Sequence, residues 1–260
     1  RPQFHFHPRC RHSGLLMSVF HNNILAGASG GGEAAYDGHL AMALEGSPGL
    51  VVYEFSTESG FGTKYTVSPT FASGTACSFS PTGTFLVHGN PYSPYLHVYA
   101  WSSSGFGSKY SNPSTLPAGF ANSVAVSDDG AYVAAGLGSS PYIVAYPFSD
   151  SSGFGSKYSD PSTLPTNNGI GLDFNPSGTA LVLGHIGSPY VTAYPWSASG
   201  FGSKYSNPSS LPPNYNADVK FSPDGTDLAL ANENSPYIIV YAWSASGFGS
   251  KYSNPSSLPA

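Results

Sequence analysis

Charged side chains are scarce in this chain of 260 residues, at 9% of the composition, against about 25% in ordinary soluble domains. All three arginines, Arg1, Arg9 and Arg11, lie in the first eleven residues, and the rest of the chain has six lysines against fourteen acidic residues. Binding to phosphate groups needs clustered lysine and arginine. We therefore expect no nucleic-acid partner for the main body of the protein.

Long apolar runs and a cysteine framework are also missing. No stretch approaches the roughly 18 consecutive apolar residues of a membrane-spanning helix, so we expect no transmembrane segment. The two cysteines, Cys10 and Cys77, are too few to define a disulfide framework. We expect two separate thiols, and a Cys10–Cys77 disulfide is the alternative.

Repetition is what the chain has in abundance. The phrase SGFGSKYSNPS at Ser104–Ser114 returns in near copies that begin at Ser59, Ser152, Ser199 and Ser246. The first glycine of each copy, at positions 60, 105, 153, 200 and 247, gives spacings of 45, 48, 47 and 47 residues. A period of about 40–50 residues with strand-like content indicates propeller blades or a related array.

One full unit, residues 216–259, predicts four strands. In DVKFS, apolar and polar residues alternate, as in a strand with one buried face. The turn SPDG leads to DLALAN and then to YIIVYAW, which is apolar on both faces like a strand between neighbouring sheets. The turn SASG leads to a short fourth strand, FGSKYS. Since no helical pattern appears, the sequence predicts an all-β propeller of four-stranded antiparallel blades.

The unit resembles the WD40-like group of propeller repeats, because FSPDGTDLALANENSPYIIVYAW aligns with the first three strands and the Asp-Gly turn of that family. The resemblance covers about residues 30–260. No Gly-His pair precedes the first strand, and serine follows Trp101, Trp196 and Trp243 where the family has aspartate. The repeated sequence pattern also resembles that of repeat proteins of bacteriophage virions and bacterial surfaces.

The number of third strands predicts five blades, with part of a six- or seven-bladed ring as the alternative. Residues 29–260 are expected to form the propeller, and residues 1–28 an N-terminal arm with an extra edge strand. SVFHNNILAG at residues 18–27 is similar to SKYSNPSTLPAG at residues 108–119, so this edge strand is interpreted as a degenerate copy of a fourth strand.

Function is expected where the copies differ. The resemblance implies that the loops between second and third strands share one face with the connections between blades. These segments vary from copy to copy, whereas the SPDG and SGFG turns of the other face hardly change. Binding residues concentrate in loops on a rigid scaffold. This variable face offers His88, Asn90, Tyr92, Phe120, Asn167, Asn168, His185, Asn214, Tyr215, Asn232 and Glu233.

Two further groups of residues have chemistry that a site could use. Asp173 and Lys220 fall at equivalent positions of the innermost strands and are expected to fill the central channel. The alternatives are that they pair across the channel or hold water or an ion there. At the N-terminus, His5, His7, Cys10 and His12 are of the types that bind zinc or copper, but their spacing matches no closed zinc pattern. We expect a flexible arm, and neither a metal nor a cofactor is expected.

Catalysis has little support, since no nucleophile elbow or phosphate-binding loop is present. The sequence favours a non-enzymatic binding or structural module, outside the cell or on a virion surface, that contacts other chains of an assembly or a surface receptor. The alternatives are a carbohydrate-binding lectin, whose partners are glycans, and a propeller hydrolase or lactonase.

Overall fold

The computed structural model describes the backbone of residues 9–10, 15–21 and 37, and the backbone and side chains of residues 38–258. In this part of the chain every regular element is a β-strand, and the strands form five antiparallel sheets. Four sheets have four strands each, paired in the order of the sequence, and the N-terminal sheet has five. These sheets are blades 1 to 5.

The strands of each blade follow one another along the chain. Blade 1 contains β1 (Arg9–Cys10), β2 (Leu15–His21), β3 (Asp37–Leu44), β4 (Leu50–Ser56) and β5 (Gly60–Thr66). Blade 2 contains β6 (Ala76–Phe79), β7 (Phe85–Gly89), β8 (Leu96–Ser102) and β9 (Gly105–Lys109). Blade 3 contains β10 (Ala121–Val126), β11 (Tyr132–Leu137), β12 (Ile143–Ser149) and β13 (Gly153–Phe154). Blade 4 contains β14 (Gly169–Phe174), β15 (Ala180–His185), β16 (Val191–Ser197) and β17 (Gly200–Phe201). Blade 5 contains β18 (Asn216–Phe221), β19 (Asp227–Asn232), β20 (Ile238–Ser244) and β21 (Gly247–Lys251).

Neighbouring blades contact each other through the strand in the first position of each sheet, which is β2 in blade 1. β2 lies against β6, β6 against β10, β10 against β14, and β14 against β18. Each sheet therefore extends outwards from a shared central region to its fourth strand. The prediction of an all-β propeller with five blades is confirmed, and four of the five blades are four-stranded antiparallel sheets as expected.

The hydrophobic core lies between the blades. Four clusters of buried side chains join blade 1 to blade 2, blade 2 to blade 3, blade 3 to blade 4, and blade 4 to blade 5. β7 and β15 are buried at every position because both of their faces meet a neighbouring sheet. The apolar runs of the sequence thus correspond to strands packed on both sides.

The turn between first and second strands is built alike in four blades. A polar residue at the start of the turn accepts a hydrogen bond from the backbone N–H five residues later, as Ser222 Oγ does from Asp227 N at 3.0 Å. The glycine of the turn has a positive φ, for example +70° at Gly225. The residues that accept this bond are Ser80, Ser127, Asn175 and Ser222. The SPDG sequence therefore forms a turn that is closed by a hydrogen bond to the side chain of its first residue.

The repeated SGFGSKYSNPS phrase makes the joints between blades. The ring of Tyr205, at the end of blade 4, lies so close to Gly247 of blade 5 that a Cβ on this glycine would be 2.8 Å from it. The same ring lies edge-on to Trp243, with 5.5 Å between centroids. The repeated lysine acts locally, since Lys251 Nζ donates to the side chain of Asn254 at 2.5 Å and to the Tyr252 carbonyl. One phrase thus supplies both halves of a joint.

The N-terminal strand takes a different place from the one its sequence suggested. β2 pairs with β3 and lies beside the first strand of blade 2. The structure therefore places residues 15–21 in a first-strand position, and not in the fourth-strand position suggested by the similarity to SKYSNPSTLPAG. β1 continues the sheet beyond β2 as a further edge strand.

Candidate functional site

The two sets of variable loops meet at one end of the blades. In blade 3, Gly138 N donates to the carbonyl of Phe120, which lies in the connection from blade 2, at 3.0 Å. Blade 5 repeats this contact, where Glu233 N donates to the Tyr215 carbonyl at 3.3 Å. In blade 4, Ile186 N donates to the Asn168 carbonyl at 3.2 Å. In blades 3, 4 and 5 the loop between second and third strands is thus tied by backbone to the connection that precedes its blade.

Four of the residues selected from the sequence are exposed on this face, namely Tyr92, Phe120, Asn167 and Glu233. Tyr92 is 62% exposed and Phe120 is 37% exposed. The ring of Phe120 covers Gly138, where any Cβ would collide with it, so the loop holds this ring in place. Three more residues, Asn168, Asn214 and Tyr215, are half-buried. These seven side chains are available for contact with a partner.

Two of the selected asparagines shape the loops and do not lie on the surface. Asn90 is buried, donates from Nδ2 to the Ser73 carbonyl at 2.9 Å and accepts from Tyr92 N at 2.7 Å. Asn232 is buried at the same position of blade 5 and donates to the Asn214 carbonyl at 2.6 Å. Because both amides are used in backbone contacts, these residues position the exposed side chains and are not themselves a binding surface.

The two selected histidines are also buried, which corrects the expectation that they face a partner. His88 lies within β7, opposite His97 of β8, and the Phe71 ring centroid is 4.6 Å from each imidazole centroid. His185 ends β15, where its Nε2 is 2.9 Å from Thr192 Oγ1. Burial lowers the pKa of His88 to about 3 and that of His185 to about 4. Both imidazoles are neutral core side chains at ordinary pH.

Four further tyrosines lie on the variable face and were not predicted from the sequence. Tyr95, Tyr142, Tyr190 and Tyr237 each follow a cis Ser–Pro bond and have φ between 65° and 69°. Their backbone carbonyls accept from the last residue of the second strand, or from the residue just after it, as Tyr237 O does from Asn232 N at 2.7 Å. Tyr237 is 41% exposed and the other three are half-buried. A bulky residue in this left-handed conformation is a genuine outlier.

The sequence carried a signal for this geometry. Blade 1 has Gly49 where the other blades have tyrosine, and its φ is +74°. Glycine is the residue that takes this conformation without steric strain. A position that alternates between glycine and tyrosine within otherwise similar SP-containing loops therefore indicates left-handed backbone.

An ion pair joins the first strands of blades 4 and 5. Lys220 Nζ lies 2.6 Å from Asp173 Oδ1, and Phe221 N donates to Asp173 Oδ2 at 2.9 Å. The two residues belong to β18 and β14, which are neighbours, so the pair forms between adjacent blades and not across the channel. Although burial opposes its charge, the nearby carboxylates of Asp173 and Asp218 raise the pKa of Lys220.

The metal candidates His5, His7 and His12 lie outside the described residues, and only the backbone of Cys10 is described. Within the described side chains, no group of three or more histidine, cysteine or acidic residues is placed to hold a metal ion. The described part of the chain also has no helix of the length and apolarity that crossing a membrane requires.

Comparison with known proteins supports the fold. No protein-family model and no curated protein matches the chain. Among solved structures, the chain is similar to a functionally unknown protein from Desulfotomaculum acetoxidans DSM 771, with a TM-score of 0.61 and 13% identity. The match covers 82% of this chain and 66% of that one. At this identity the likeness concerns the fold alone, that of an all-β repeat protein with a propeller-like arrangement of blades.

Proposed function

We propose that the protein is a non-enzymatic binding or structural module on a virion or cell surface, which contacts a protein partner through the variable face. The four left-handed tyrosines are the observation that carries this proposal. A left-handed conformation costs a residue with a Cβ about 1–2 kcal/mol. Blade 1 shows that glycine fits the same loop, so the tyrosine side chain is retained for a purpose other than loop geometry.

Aromatic contacts and hydroxyl hydrogen bonds with the described residues do not account for these tyrosines. Among the described residues, the rings of Tyr95, Tyr142, Tyr190 and Tyr237 have no aromatic contact, and their hydroxyls have no hydrogen bond. Together with exposed Tyr92 and Phe120, they place aromatic side chains across one face. Exposed aromatic rings on rigid loops are typical of interface hot spots, because they supply large contact area at low entropic cost.

The charge of the variable face fits an uncharged partner surface. Of the seven side chains available for contact, only Glu233 is charged, and the others are amides and aromatic rings. A lectin is the second candidate, because the same combination of exposed tyrosine and asparagine also suits sugar hydroxyls and apolar sugar faces. Its proposed sites lie beside Tyr92 and Asn167.

The ion pair supports a non-enzymatic role over a hydrolase or lactonase. Both carboxylate oxygens of Asp173 are engaged, one by Lys220 and the other by the backbone of Phe221. His88 and His185 are buried away from this carboxylate, on the second strands of blades 2 and 4. The placement on a virion or bacterial surface rests on the resemblance of the repeated sequence pattern, and the WD40-like resemblance rests on the first three strands and the Asp-Gly turn.

The proposal is tested by probing a protein array and a glycan array with the purified chain and two double variants. Tyr92→Ser with Phe120→Ser alters the variable face, and Ala198→Glu with Ala245→Glu alters exposed turns at the opposite end of the blades. We expect protein hits that weaken at least tenfold in the first variant and persist in the second. Hits on glycans alone would favour the lectin, and hits lost only in the second variant would contradict the proposed face.

A further inference from the structure

Blade 2 has two histidines at a place where the other blades have mainly aliphatic side chains. His88 of β7 and His97 of β8 lie directly opposite each other, so both side chains project from the same face of the sheet. The fold does not require an imidazole at either position, because three other blades do without one. The matching pairs in blades 3, 4 and 5 are Ala135–Val144, Leu183–Thr192 and Leu230–Ile239.

Hydrogen bonding does not account for these two imidazoles. His88 is 0% exposed and His97 is 7% exposed. Both ring nitrogens of His88 and Nδ1 of His97 have no hydrogen-bond partner among the described residues. Although the Gly49 carbonyl acts on the charge of His88, no hydrogen bond satisfies this ring. Buried polar groups are nearly always paired, and one without a partner in the protein often marks a bound ion.

The two rings are positioned to hold one ion between them. Their centroids are 5.8 Å apart and their planes differ by 35°. An ion bonded at about 2 Å to one nitrogen of each ring would place the two centroids roughly 6 Å apart. The Phe71 centroid is 4.6 Å from each imidazole centroid, so the point midway between the imidazoles lies nearer still to this ring. A cation over an aromatic face within about 6 Å is attracted by it.

The connection from blade 1 to blade 2 closes this place off from solvent. Phe71 lies in the connection between β5 and β6 and is half-buried. Gly74 of the same segment packs on His88, since a Cβ on this glycine would be 2.5 Å from Nε2. Leu86 and Tyr99, two residues away on the same strands, belong to the cluster that joins blades 1 and 2. An ion held by the imidazoles would therefore lie between these two blades.

The chemistry of the two ligands selects a soft ion of single charge. Structural zinc takes four ligands, whereas no group of three or more histidine, cysteine or acidic residues among the described side chains is placed for a metal. Copper(I) accepts two ligands in a line, and imidazole suits copper. Within the described part of the chain no carboxylate shifts the pKa of either imidazole, and Lys109 lowers that of His97. A single positive charge costs less to bury than a double one.

We propose that His88 and His97 form a two-coordinate site for copper(I), covered by Phe71, between blades 1 and 2. Burial lowers the pKa of the two rings to about 3 and about 4, so protons compete weakly with the ion at neutral pH. Cys77 lies opposite His88 on β6 and is not part of the proposed ligand pair. This site is separate from the partner contact proposed for the variable face.

Titration of the purified chain with copper(I), kept reduced by ascorbate, or with silver(I), which has the same charge and the same preference for two ligands, tests this site. Competition with a chromogenic copper(I) chelator measures the affinity. One ion per chain is expected, and His88→Leu and His97→Ile, which install the residues of blade 5, are each expected to weaken binding at least hundredfold. So that the N-terminal candidate ligands do not bind the ion, every protein carries His5→Gln, His7→Gln, Cys10→Ser and His12→Gln.

Two further variants serve as matched controls. His185→Asn changes another buried histidine, whose Nε2 is 2.9 Å from Thr192 Oγ1, to the residue found at its position in blade 5, Asn232. Cys77→Val likewise installs the residue of blade 5, Val219. Both are expected to leave the affinity within threefold. The X-ray absorption spectrum of the bound ion is expected to show two nitrogen neighbours at about 2 Å.

Several results would overturn the proposal. A chain that binds neither copper(I) nor silver(I) has no such site. Binding that both histidine variants retain, or binding that Cys77→Val abolishes, would assign the ion to other ligands. Circular dichroism shows whether each variant folds, and the absorption spectrum tests the ligands independently of the variants, since a sulfur neighbour would contradict the imidazole pair. None of these results bears on binding by the variable face.

Discussion

Lys220 and Asp173 form an ion pair between the first strands of blades 5 and 4, with 2.6 Å between Nζ and Oδ1. The corresponding residues of blades 2 and 3 are Ser78 and Ala125, so the pair is not a requirement of the fold. Removing one member of a partly buried pair takes away the direct partner of the other charge. The ion pair therefore links two blades, and each of its charges is stabilised by the other.

Asp173→Ala is expected to lower the free energy of unfolding by about 3 kcal/mol, because it leaves the Lys220 ammonium unpaired. The double variant Asp173→Ala with Lys220→Ala is expected to lose less than the single variant. Denaturant unfolding of both proteins measures the difference. A double variant that is less stable than Asp173→Ala would show that the two side chains contribute separately.

The buried histidines make stability depend on pH. Burial lowers the pKa of His88 to about 3 and that of His97 to about 4, below the value of about 6.5 in an unfolded chain. The unfolded chain therefore binds more protons below pH 6.5, and stability that is complete above this pH is lost as the pH falls towards 4.

From pH 7 to pH 5 the loss is expected to be about 2 kcal/mol for each such histidine. His88→Leu replaces the imidazole by an apolar side chain of the kind found at this position in blade 5, Leu230, and it is expected to flatten the pH profile by about this amount. Denaturant unfolding at a series of pH values measures both proteins. Identical profiles would show that His88 does not titrate differently in the two states.

The glycines of the SGFG turns offer a matched pair of substitutions. Gly247 has φ +93° and lies under the ring of Tyr205, whereas Gly60 has φ +75° and has open space in place of a Cβ. Gly60→Ala is expected to cost about 1–2 kcal/mol for the left-handed conformation. Gly247→Ala is expected to cost about 1–3 kcal/mol more, because its methyl group displaces the tyrosine.

Thermal and denaturant unfolding of the two variants measures these two costs. If both substitutions cost the same, the contact between tyrosine and glycine does not stabilise the joints.

Substitutions at the left-handed tyrosines distinguish a role of the ring in folding from a role in binding. Tyr237→Gly removes the ring but relieves the backbone, so stability is expected to change by no more than about 1 kcal/mol. Tyr237→Val keeps the strain with a β-branched side chain, and it is expected to be less stable than Tyr237→Gly by about 1–2 kcal/mol. Unfolding measurements on the two variants decide this. A large loss of stability in Tyr237→Gly would mean that the ring serves the fold.

Much of the fold could be predicted from the sequence because each blade repeats its own signals. The alternation in DVKFS, the SPDG turn and the run YIIVYAW correspond to β18, the closing turn and β20. The position of β2 could not be predicted in this way. Pairing with β3 decides its place in the sheet, and the local sequence of a strand does not name its partner.

The candidate site was predicted less accurately for a similar reason. His88 was read as part of a loop, but β7 continues to Gly89, and this strand carries the side chain into the core. Asn90 and Asn232 lie where strand passes into loop, so their amides turn inwards to bond the connections. The exposed residues Tyr92 and Phe120 lie beyond the strand ends, where variation between copies does indicate surface.

A photo-crosslinking measurement tests the central claim that the variable face is the surface that binds. A benzophenone amino acid is placed at Phe120 on the variable face or at Ala198 in an SGFG-type turn, and each protein is irradiated with the strongest binder from the protein array. Crosslinking from position 120 and none from position 198 is the predicted result. The reverse pattern would contradict the account.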